Sequence, residues 1–351
     1  MSAKEFRVLC SGIAPSLYPT DAVWGLIWYN EGEAIEIPKR YPFAGEWGEV
    51  LSSCIPLREE YPMPYKMNLM WMSVVENKFY EIEAFFPVKW MEKLWESSRG
   101  TDSFIHIVVG MAPYGKISVW ANGNQKSVIL LWASATNVHV TPSFQSSPPI
   151  ANCLSNRRHF LSTFVKENLE KNGLPSRDLF DNYMKQFTYR YLVLFENWDK
   201  EKKGWYSDSQ ASQIEEKPTP EFDYIEEALF DGTHDKLHDG GLMNYHQAGK
   251  PKKLALKWHI KKSEYTAYFW FEDEEIRTIF DRFYGVHPDT KTDFMIRIDS
   301  DKKKYELALY RYGLKEPRVI NESAYQLIVF KNKFEYYRSD NYNQSRGAWI
   351  W

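Results

Sequence analysis

The sequence predicts an α+β fold with two pseudo-repeats, each an antiparallel β-sheet with one short helix, joined by a two-helix connector. Three observations lead to this prediction. Phe, Trp and Tyr make up 17% of the 351 residues, and aromatic side chains favour strands and bury large apolar areas. Several segments alternate with a period of two, which is typical of strands. The same order of elements and anchor residues occurs in both halves of the chain.

The first half is predicted to contain short strands, turns and one helix. Strands are expected within residues 5–30, 65–86, 104–109, 116–120 and 127–132, with Pro, Gly and Asn-Gly marking the turns. Pro87 opens a helix on which Trp90, Met91, Leu94 and Trp95 form one apolar face. The N-terminal repeat is therefore assigned to residues 1–140.

Residues 141–186 are assigned to the linker and helical connector. A helix is expected over 156–172, with Ser155 as N-cap, Gly173 at its end and an apolar face of Phe160, Leu161, Phe164, Val165 and Leu169. A second helix is expected over 177–186, capped by Ser176. The C-terminal repeat then covers 187–351, and its polar residues 199–250 are expected to be irregular.

The repeat is inferred from matched anchors. Trp71 matches Trp258, and Phe79 matches Tyr265 after deletion of one residue. The helix anchors Trp90 and Leu94 match Ile276 and Phe280, and TDSFIHI at 101–107 matches TDFMIRI at 292–298. The alternative is chance similarity between aromatic-rich strands. We interpret the shared order as a duplication.

Composition limits the classes of partner and compartment. The net charge is −3, so no basic excess indicates nucleic acid. No apolar run reaches the length of about 18 residues that a membrane span needs. The three cysteines are typical of a reducing compartment, and Lys4, Glu5 and Arg7 stand where a signal peptide needs an apolar segment. We therefore expect a cytoplasmic protein that binds neither nucleic acid nor membrane.

The sequence offers no recognisable catalytic motif. It contains no GxSxG, GxGxxG or GxxxxGK[ST] pattern, and Cys54 and Cys153 lie in no nucleophile motif. We therefore expect neither an enzyme nor a cofactor, and assign no catalytic or metal-binding residue.

One alternative stays open: a metal-dependent enzyme or a small-ligand or carbohydrate-binding protein that uses the Asp231–His246 loop or an aromatic surface. His234 and His238 have i, i+4 spacing and would bind zinc with a carboxylate, but Gly232, Gly240 and Gly241 favour a solvated loop. An aromatic platform for sugars would use Trp24, Trp28, Trp47, Trp71, Trp120 and Trp132, although the core is the expected place for most of them.

Segments of the first half resemble a bacterial family known as domain of unknown function 2931. The similar segments are IPKRYPFAGEWGEV (37–50), PYKMNLMWMSVVENKFYEIEAFFP (64–87) and VVGMAPYGKISVWANGN (108–124). Many members of that family are described as lipoproteins, and the resemblance implies a Gram-negative source. Some relatives accompany type VI secretion toxins as immunity proteins. The resemblance implies no known catalytic residue.

The resemblance and the absence of catalytic motifs together favour a protein that binds another protein. The expected function is that of an immunity protein that neutralises a cognate type VI secretion toxin by occluding it. A toxin that acts on nucleic acid or NAD is expected to have a basic cleft, which acidic loops would fill. The partner-contact candidates are Glu31, Glu33, Glu36, Glu59, Glu60, Asp231, Asp235 and Asp239.

Overall fold

The computed structural model describes residues 4–37, 45–50, 58–98, 104–140, 161–199, 201, 204–206, 220–238, 243–285 and 287–343. The chain forms two compact units. The first unit comprises Met1–Tyr183 and Asp231–His234, and the second comprises Met184–Phe230 and Asp235–Trp351. Among the described residues, no helix has both the length and the apolar character that crossing a membrane requires.

The first unit consists mainly of two sheets and a short helix. Its elements are β1 (Glu5–Phe6), β2 (Leu9–Ile13), β3 (Thr20–Asn30), β4 (Glu33–Glu36), β5 (Tyr61–Pro62), β6 (Lys66–Ser73), β7 (Lys78–Phe85), α1 (Val88–Ser97), β8 (His106–Met111), β9 (Lys116–Asn122), β10 (Ser127–Ser134), β11 (Thr136–Val138), α2 (Thr163–Asn172) and α3 (Leu179–Tyr183). One sheet has the order β11-β7-β6-β3-β4, and the other has the order β10-β9-β8-β2. The main core combines apolar side chains of both sheets and of α1, including Ile27, Trp71, Met91 and Val109.

The second unit also contains two sheets and a helix. Its elements are β12 (Phe187–Asp199), β13 (Gly204–Tyr206), β14 (Glu221–Leu229), β15 (His234–Leu237), β16 (His246–Ala248), β17 (Pro251–Ile260), β18 (Ser263–Phe271), α4 (Asp273–Tyr284), β19 (Thr292–Asp299), β20 (Tyr305–Tyr310), β21 (Arg318–Ile320), β22 (Tyr325–Lys331) and β23 (Phe334–Arg338). The sheet orders are β13-β12-β19-β20-β21, with β16 beside β12, and β15-β14-β17-β18-β22-β23.

The two units share a topology, and the predicted α+β class is confirmed. The series β10-β9-β8-β2 corresponds to β21-β20-β19-β12, and β11-β7-β6-β3-β4 corresponds to β22-β18-β17-β14-β15. In each unit one pair of strands is parallel, β2 with β8 and β12 with β19. The sequence predicted one sheet in each unit, but each unit has two main sheets. The strands that follow the helix pair with a strand near the start of the unit, β8 with β2 and β19 with β12, and so form a sheet of their own.

The strand register corrects the predicted alignment of the repeats. Trp71 faces Tyr80 across β6 and β7, and Trp258 faces Tyr265 across β17 and β18. Tyr80, and not Phe79, therefore occupies the position of Tyr265. The turn between β6 and β7 is longer by two residues, since Ser73 pairs with Lys78 whereas Ile260 pairs with Ser263.

The predicted alignment of the two helices is also wrong by one residue, because Met91 and Trp95, and not Trp90 and Leu94, correspond to Ile276 and Phe280. Met91 and Trp95 are buried on α1 whereas Trp90 is 42% exposed, and α4 buries Ile276 and Phe280. Neighbouring residues on a helix point about 100° apart, so only one of Trp90 and Met91 faces the core.

The predicted alignment of TDSFIHI (101–107) with TDFMIRI (292–298) also differs from the alignment that the structure gives. The hairpins after β8 and β19 close with equivalent hydrogen bonds, Ala112 N to Lys116 O and Asp299 N to Lys304 O. Met111, and not Ile107, therefore corresponds to Ile298. Residues 101–103 lie outside the described part of the chain.

The helix predicted over 156–172 begins later than expected. It starts at Thr163, and the Ser162 hydroxyl accepts a hydrogen bond from Val165 N at 3.3 Å. The helix ends at Gly173 as predicted, but Phe164 is 63% exposed instead of inward. Ser155 and Phe160 lie outside the described residues. The second helix is α3, shorter than the predicted 177–186, and it buries Leu179 and Phe180.

The prediction of an irregular segment over 199–250 is wrong at four places within the described residues. Strands β13 to β16 lie there, and β14 buries Ile225, Glu227 and Leu229 at alternate positions. The many charged residues hid this pattern, because one of the three inward side chains is itself a glutamate.

Candidate functional site

An acidic hairpin forms one edge of the five-stranded sheet of the first unit. Asn30 makes the turn between β3 and β4: its Oδ1 accepts a hydrogen bond from Gly32 N at 3.0 Å, and its Nδ2 donates to Glu33 Oε2 at 3.1 Å. Strand β4 is terminal in the sheet. Glu31 and Glu36 are exposed, and Glu33 is half-buried.

A second acidic segment lies against this hairpin. Arg58 Nη2 is 3.0 Å from Glu33 Oε1, and Arg58 N donates a hydrogen bond to the Tyr61 hydroxyl at 2.9 Å. The buried ring of Tyr61 packs on Tyr29 of β3, with a centroid distance of 4.6 Å. These contacts fix the exposed Glu59 and Glu60 beside β4.

The structure therefore brings five of the eight predicted contact residues to one edge, which we call the acidic edge: Glu31, Glu33, Glu36, Glu59 and Glu60. Within the described residues 31–37 and 58–62, Arg58 is the only basic residue. The acidic edge presents negative charge next to the outward backbone of β4. Charges on an edge strand oppose unspecific pairing and favour a basic partner.

The prediction of Asp231 as a contact residue is wrong. Asp231 is fully buried in the first unit. Its Oδ1 accepts hydrogen bonds from Thr233 N at 2.9 Å and Thr233 Oγ1 at 2.6 Å, and its carbonyl accepts one from Trp120 Nε1 at 3.0 Å. A small Asp-Gly-Thr turn satisfies the carboxylate internally, so this residue stabilises the fold and is not available to a partner.

The other residues of the predicted loop are dispersed. Asp235 is half-buried on β15 of the second unit, and Asp239 lies outside the described residues. His234 N donates to Ser127 Oγ at 2.9 Å, and the ring of His238 packs at 5.7 Å from Tyr224. No group of three or more potential metal ligands occurs among the described residues.

A buried acid–base cluster in the second unit was not predicted. The Tyr191 hydroxyl donates to Glu227 Oε2 at 2.6 Å, and His246 Nε2 lies 3.6 Å from Glu227 Oε1. His246 Nδ1 faces the carbonyl of Asn244 at 3.2 Å. Glu227 is 3% exposed. The inward position of Glu227 on an alternating strand was the available sequence signal.

The titration of this cluster follows from its contacts. Burial acts to lower the pKa of His246, but Glu227 and the Asn244 carbonyl outweigh it and hold the pKa above its usual value. Burial, and the negative charge of Glu227, raise the pKa of Tyr191. His246 Nε2 and the Tyr191 hydroxyl therefore face the same carboxyl group, that of Glu227.

The second unit also buries a lysine. Lys250 is 1% exposed, with its Nζ 5.0 Å from the ring centroid of Phe187 and 3.6 Å from Asp281 Oδ1. Burial lowers the pKa of Lys250 to about 8, although Asp281 opposes this shift.

The tryptophans named as a sugar platform do not form one surface. Trp47, Trp71 and Trp120 are buried, whereas Trp24, Trp28 and Trp132 are half-buried. Trp28 Nε1 donates to Asn68 Oδ1 at 2.9 Å. These side chains serve the core and the faces of the sheets.

The residues that carry the family resemblance form internal contacts. The side chain of Glu76 is fully buried. Its Oε1 accepts from the Tyr80 hydroxyl and its Oε2 from Tyr114 N, each at 2.8 Å. Tyr114 has a φ of 61° and Gly115 one of 71°. Glu76 thus stabilises the left-handed turn before β9.

The Gly-Glu-Trp-Gly segment packs onto the strands that follow this turn. The Trp47 ring stands edge-on to Trp120 at 4.9 Å, and Asn122 Nδ2 donates to Gly48 O at 2.8 Å. A Cβ at Gly48 would lie only 2.0 Å from Gly232 O, so only glycine is compatible with this approach.

These features define an α+β protein of two topologically matched sheet units. Residues 3–220, more than half of the chain, match the family described as "Protein of unknown function (DUF2931)", and the chain belongs to this family. The predicted family resemblance is thereby confirmed. No curated protein and no solved structure shows a significant match to the chain.

Proposed function

We propose that this protein acts by binding another protein at the acidic edge, without catalysis. The observation that carries the proposal is the joining of Glu59 and Glu60 to the β3–β4 hairpin through Arg58 and Glu33. Four of the five glutamates of this edge are exposed. A charged edge of this kind increases the association rate with a basic surface and discriminates against other partners.

The proposed partner is a bacterial toxin, and the proposed role is immunity. The family resemblance associates such proteins with type VI secretion toxins, and a toxin with a nucleic-acid or NAD substrate needs a basic cleft. Negative side chains on a preorganised strand would occlude that cleft with little ordering cost. On this proposal the protein works where such a toxin acts, in the cytoplasm.

We also propose that the two units arose by duplication. They agree in both sheet orders, in the position of the parallel pair and in the helix that follows the central hairpin. The equivalent pairs Trp71–Tyr80 and Trp258–Tyr265 support this origin, with ring distances of 5.7 and 5.5 Å.

Charge reversal tests the binding role. The full chain is co-expressed with the product of the adjacent gene, as wild type, as Glu59→Lys/Glu60→Lys, and as Glu167→Lys/Glu170→Lys. The last pair is a matched control, because Glu167 and Glu170 are exposed on α2 of the same unit. We expect the wild type and the control to form a complex and protect the cell.

Glu59→Lys/Glu60→Lys should raise the dissociation constant of the complex by about tenfold or more, because two attractive charges become repulsive. Failure of the wild type to form a complex, or equal affinity of the two reversed variants, would contradict the proposal.

A further inference from the structure

The second unit contains a cleft of about 390 Å³ that the acidic edge does not involve. Its walls come from the start of β20, the turn Glu322–Ala324, β22, β23 and residues 339–341. Pockets that hold small molecules have volumes of roughly 300–1,000 Å³. Strand β23 has no described counterpart in the first unit, so the cleft is an addition to the shared topology.

Hydrogen bonds preform one wall of the cleft. Asn341 Nδ2 donates to Glu322 O at 3.0 Å and to Tyr325 O at 2.9 Å, and Asn341 Oδ1 accepts from Ser339 Oγ at 2.6 Å. Ser339 Oγ in turn accepts from Leu327 N at 3.1 Å. The segment after β23 is therefore held against β22, and a ligand would meet a wall that is already ordered.

The charges that line the cleft balance. Lys303 and Lys304 supply two positive charges, and Glu322 and Asp340 supply two negative charges. Lys304 Nζ lies 2.6 Å from Glu322 Oε1. The lining therefore favours a ligand without net charge, and it offers both donors and acceptors to that ligand.

Three tyrosines supply the apolar surface and further donors. Tyr305 and Tyr337 are stacked, with ring centroids 6.1 Å apart and planes inclined by 18°, and Tyr325 lies in the same wall. Burial raises the pKa of all three hydroxyls. They stay protonated near neutral pH, so the half-buried Tyr337 lines the cleft with an aromatic ring and a hydroxyl group that is able to donate.

We propose that this cleft binds a neutral mono- or disaccharide. A sugar ring has an apolar face that packs on an aromatic ring, and vicinal hydroxyls that both donate and accept hydrogen bonds. The stacked Tyr337 provides the ring, and Glu322, Asp340, Lys303 and Ser323 provide acceptors and donors around it. The cleft shares no residue with the acidic edge, and the proposal does not depend on the proposed immunity role.

Isothermal titration calorimetry on the full chain tests this proposal. The probes are glucose, galactose, mannose, N-acetylglucosamine, maltose and lactose, each up to about 10 mM, with glucuronic acid and glucosamine as charged controls. At least one neutral sugar should bind saturably, with an affinity that is unchanged by added NaCl.

Tyr337→Ala should weaken that binding at least about tenfold, and Tyr337→Phe, which keeps the ring and so the packing, should weaken it less. Tyr312→Ala is the matched control, since Tyr312 is fully exposed in the same unit, and it should bind as the wild type does. Binding of the toxin should be unchanged in all three variants. The proposal would be overturned if no neutral sugar binds or if a charged sugar binds more tightly. It would also be overturned if both Tyr337 variants bind with wild-type affinity.

Discussion

Two glycines with nearly the same φ angle have different surroundings. Gly115 has a φ of 71° and Gly173 one of 72°. A Cβ at Gly115 would lie 2.8 Å from the Tyr80 ring and 2.9 Å from Ala135 O, whereas a Cβ at Gly173 would have no atom within 4 Å. Close packing around the turn therefore explains why the family-like Ala-Pro-Tyr-Gly segment has glycine there.

Gly115→Ala should lower the free energy of unfolding by at least about 2 kcal/mol, because strain and overpacking act together. Gly173→Ala should cost less than Gly115→Ala, because backbone strain acts there without overpacking. At φ 72° and ψ −162°, a residue other than glycine is strained by about 1–3 kcal/mol. Urea unfolding of both variants measures the difference. Equal losses would show that Tyr80 moves aside and that the turn is not tightly packed.

The His246 cluster makes stability depend on pH. The pKa of His246 is raised in the folded protein, by Glu227 against the opposing effect of burial. Its contribution to stability is therefore complete below the pKa of an unfolded histidine, about 6.5, and is lost as the pH rises through the higher folded value.

Replacing the histidine tests this dependence. His246→Gln should remove the part of the stability that declines above about pH 6.5, as measured by urea unfolding across a pH series. His139→Gln, at an exposed position, serves as the control. A pH profile of His246→Gln that is parallel to the wild type would contradict the assignment.

At the scale of single elements, α2 shows how a helix start is fixed. The sequence predicts Ser155 as the cap of this helix, but the structure uses Ser162, whose hydroxyl accepts a hydrogen bond from Val165 N. Ser162→Ala should lower stability by about 1 kcal/mol. Thr163→Ala, at the next exposed position, should change it by less than about half of that. Thermal unfolding of the two variants measures this difference. Equal losses of stability would contradict a capping role of Ser162.

Elements were predictable to the extent that their periodicity was clear. The Trp71 and Trp258 strands, the helix opened by Pro87 and the end of α2 at Gly173 all followed from local patterns. The anchor Met91 was confused with Trp90, since both are large and apolar and adjacent positions differ only in helical phase. Strand β14 was missed because its buried Glu227 looks polar in the sequence.

The acidic edge, too, was only partly predictable from the sequence. The residue type was visible at Glu31, Glu33, Glu36, Glu59 and Glu60, but the Arg58–Glu33 contact that joins the two segments is tertiary. Asp231 had the same residue type, yet its Asp-Gly-Thr turn buries it. Sequence alone does not separate a solvated carboxylate from a buried one, because the packing that buries Asp231 comes from distant residues, such as Trp120, which donates to the Asp231 carbonyl.

At the scale of the whole molecule, function is proposed to follow from charge placed on a preformed edge. The affinity of the complex should fall as NaCl is raised, because exposed charges are screened over about 10 Å at 0.1 M salt. The salt dependence should be smaller in Glu59→Lys/Glu60→Lys than in the wild type. A series of binding measurements from low to high salt tests this. An affinity that is independent of salt in the wild type would indicate an apolar interface elsewhere.

Hydrogen–deuterium exchange of the full chain, alone and with the product of the adjacent gene, tests the central claim most directly. We predict that complex formation slows exchange in peptides that contain Glu33–Glu36 and Glu59–Glu60. We also predict that exchange in β22 and β23 stays the same. Unchanged exchange at the acidic edge, with protection at another surface of the described residues, would contradict it.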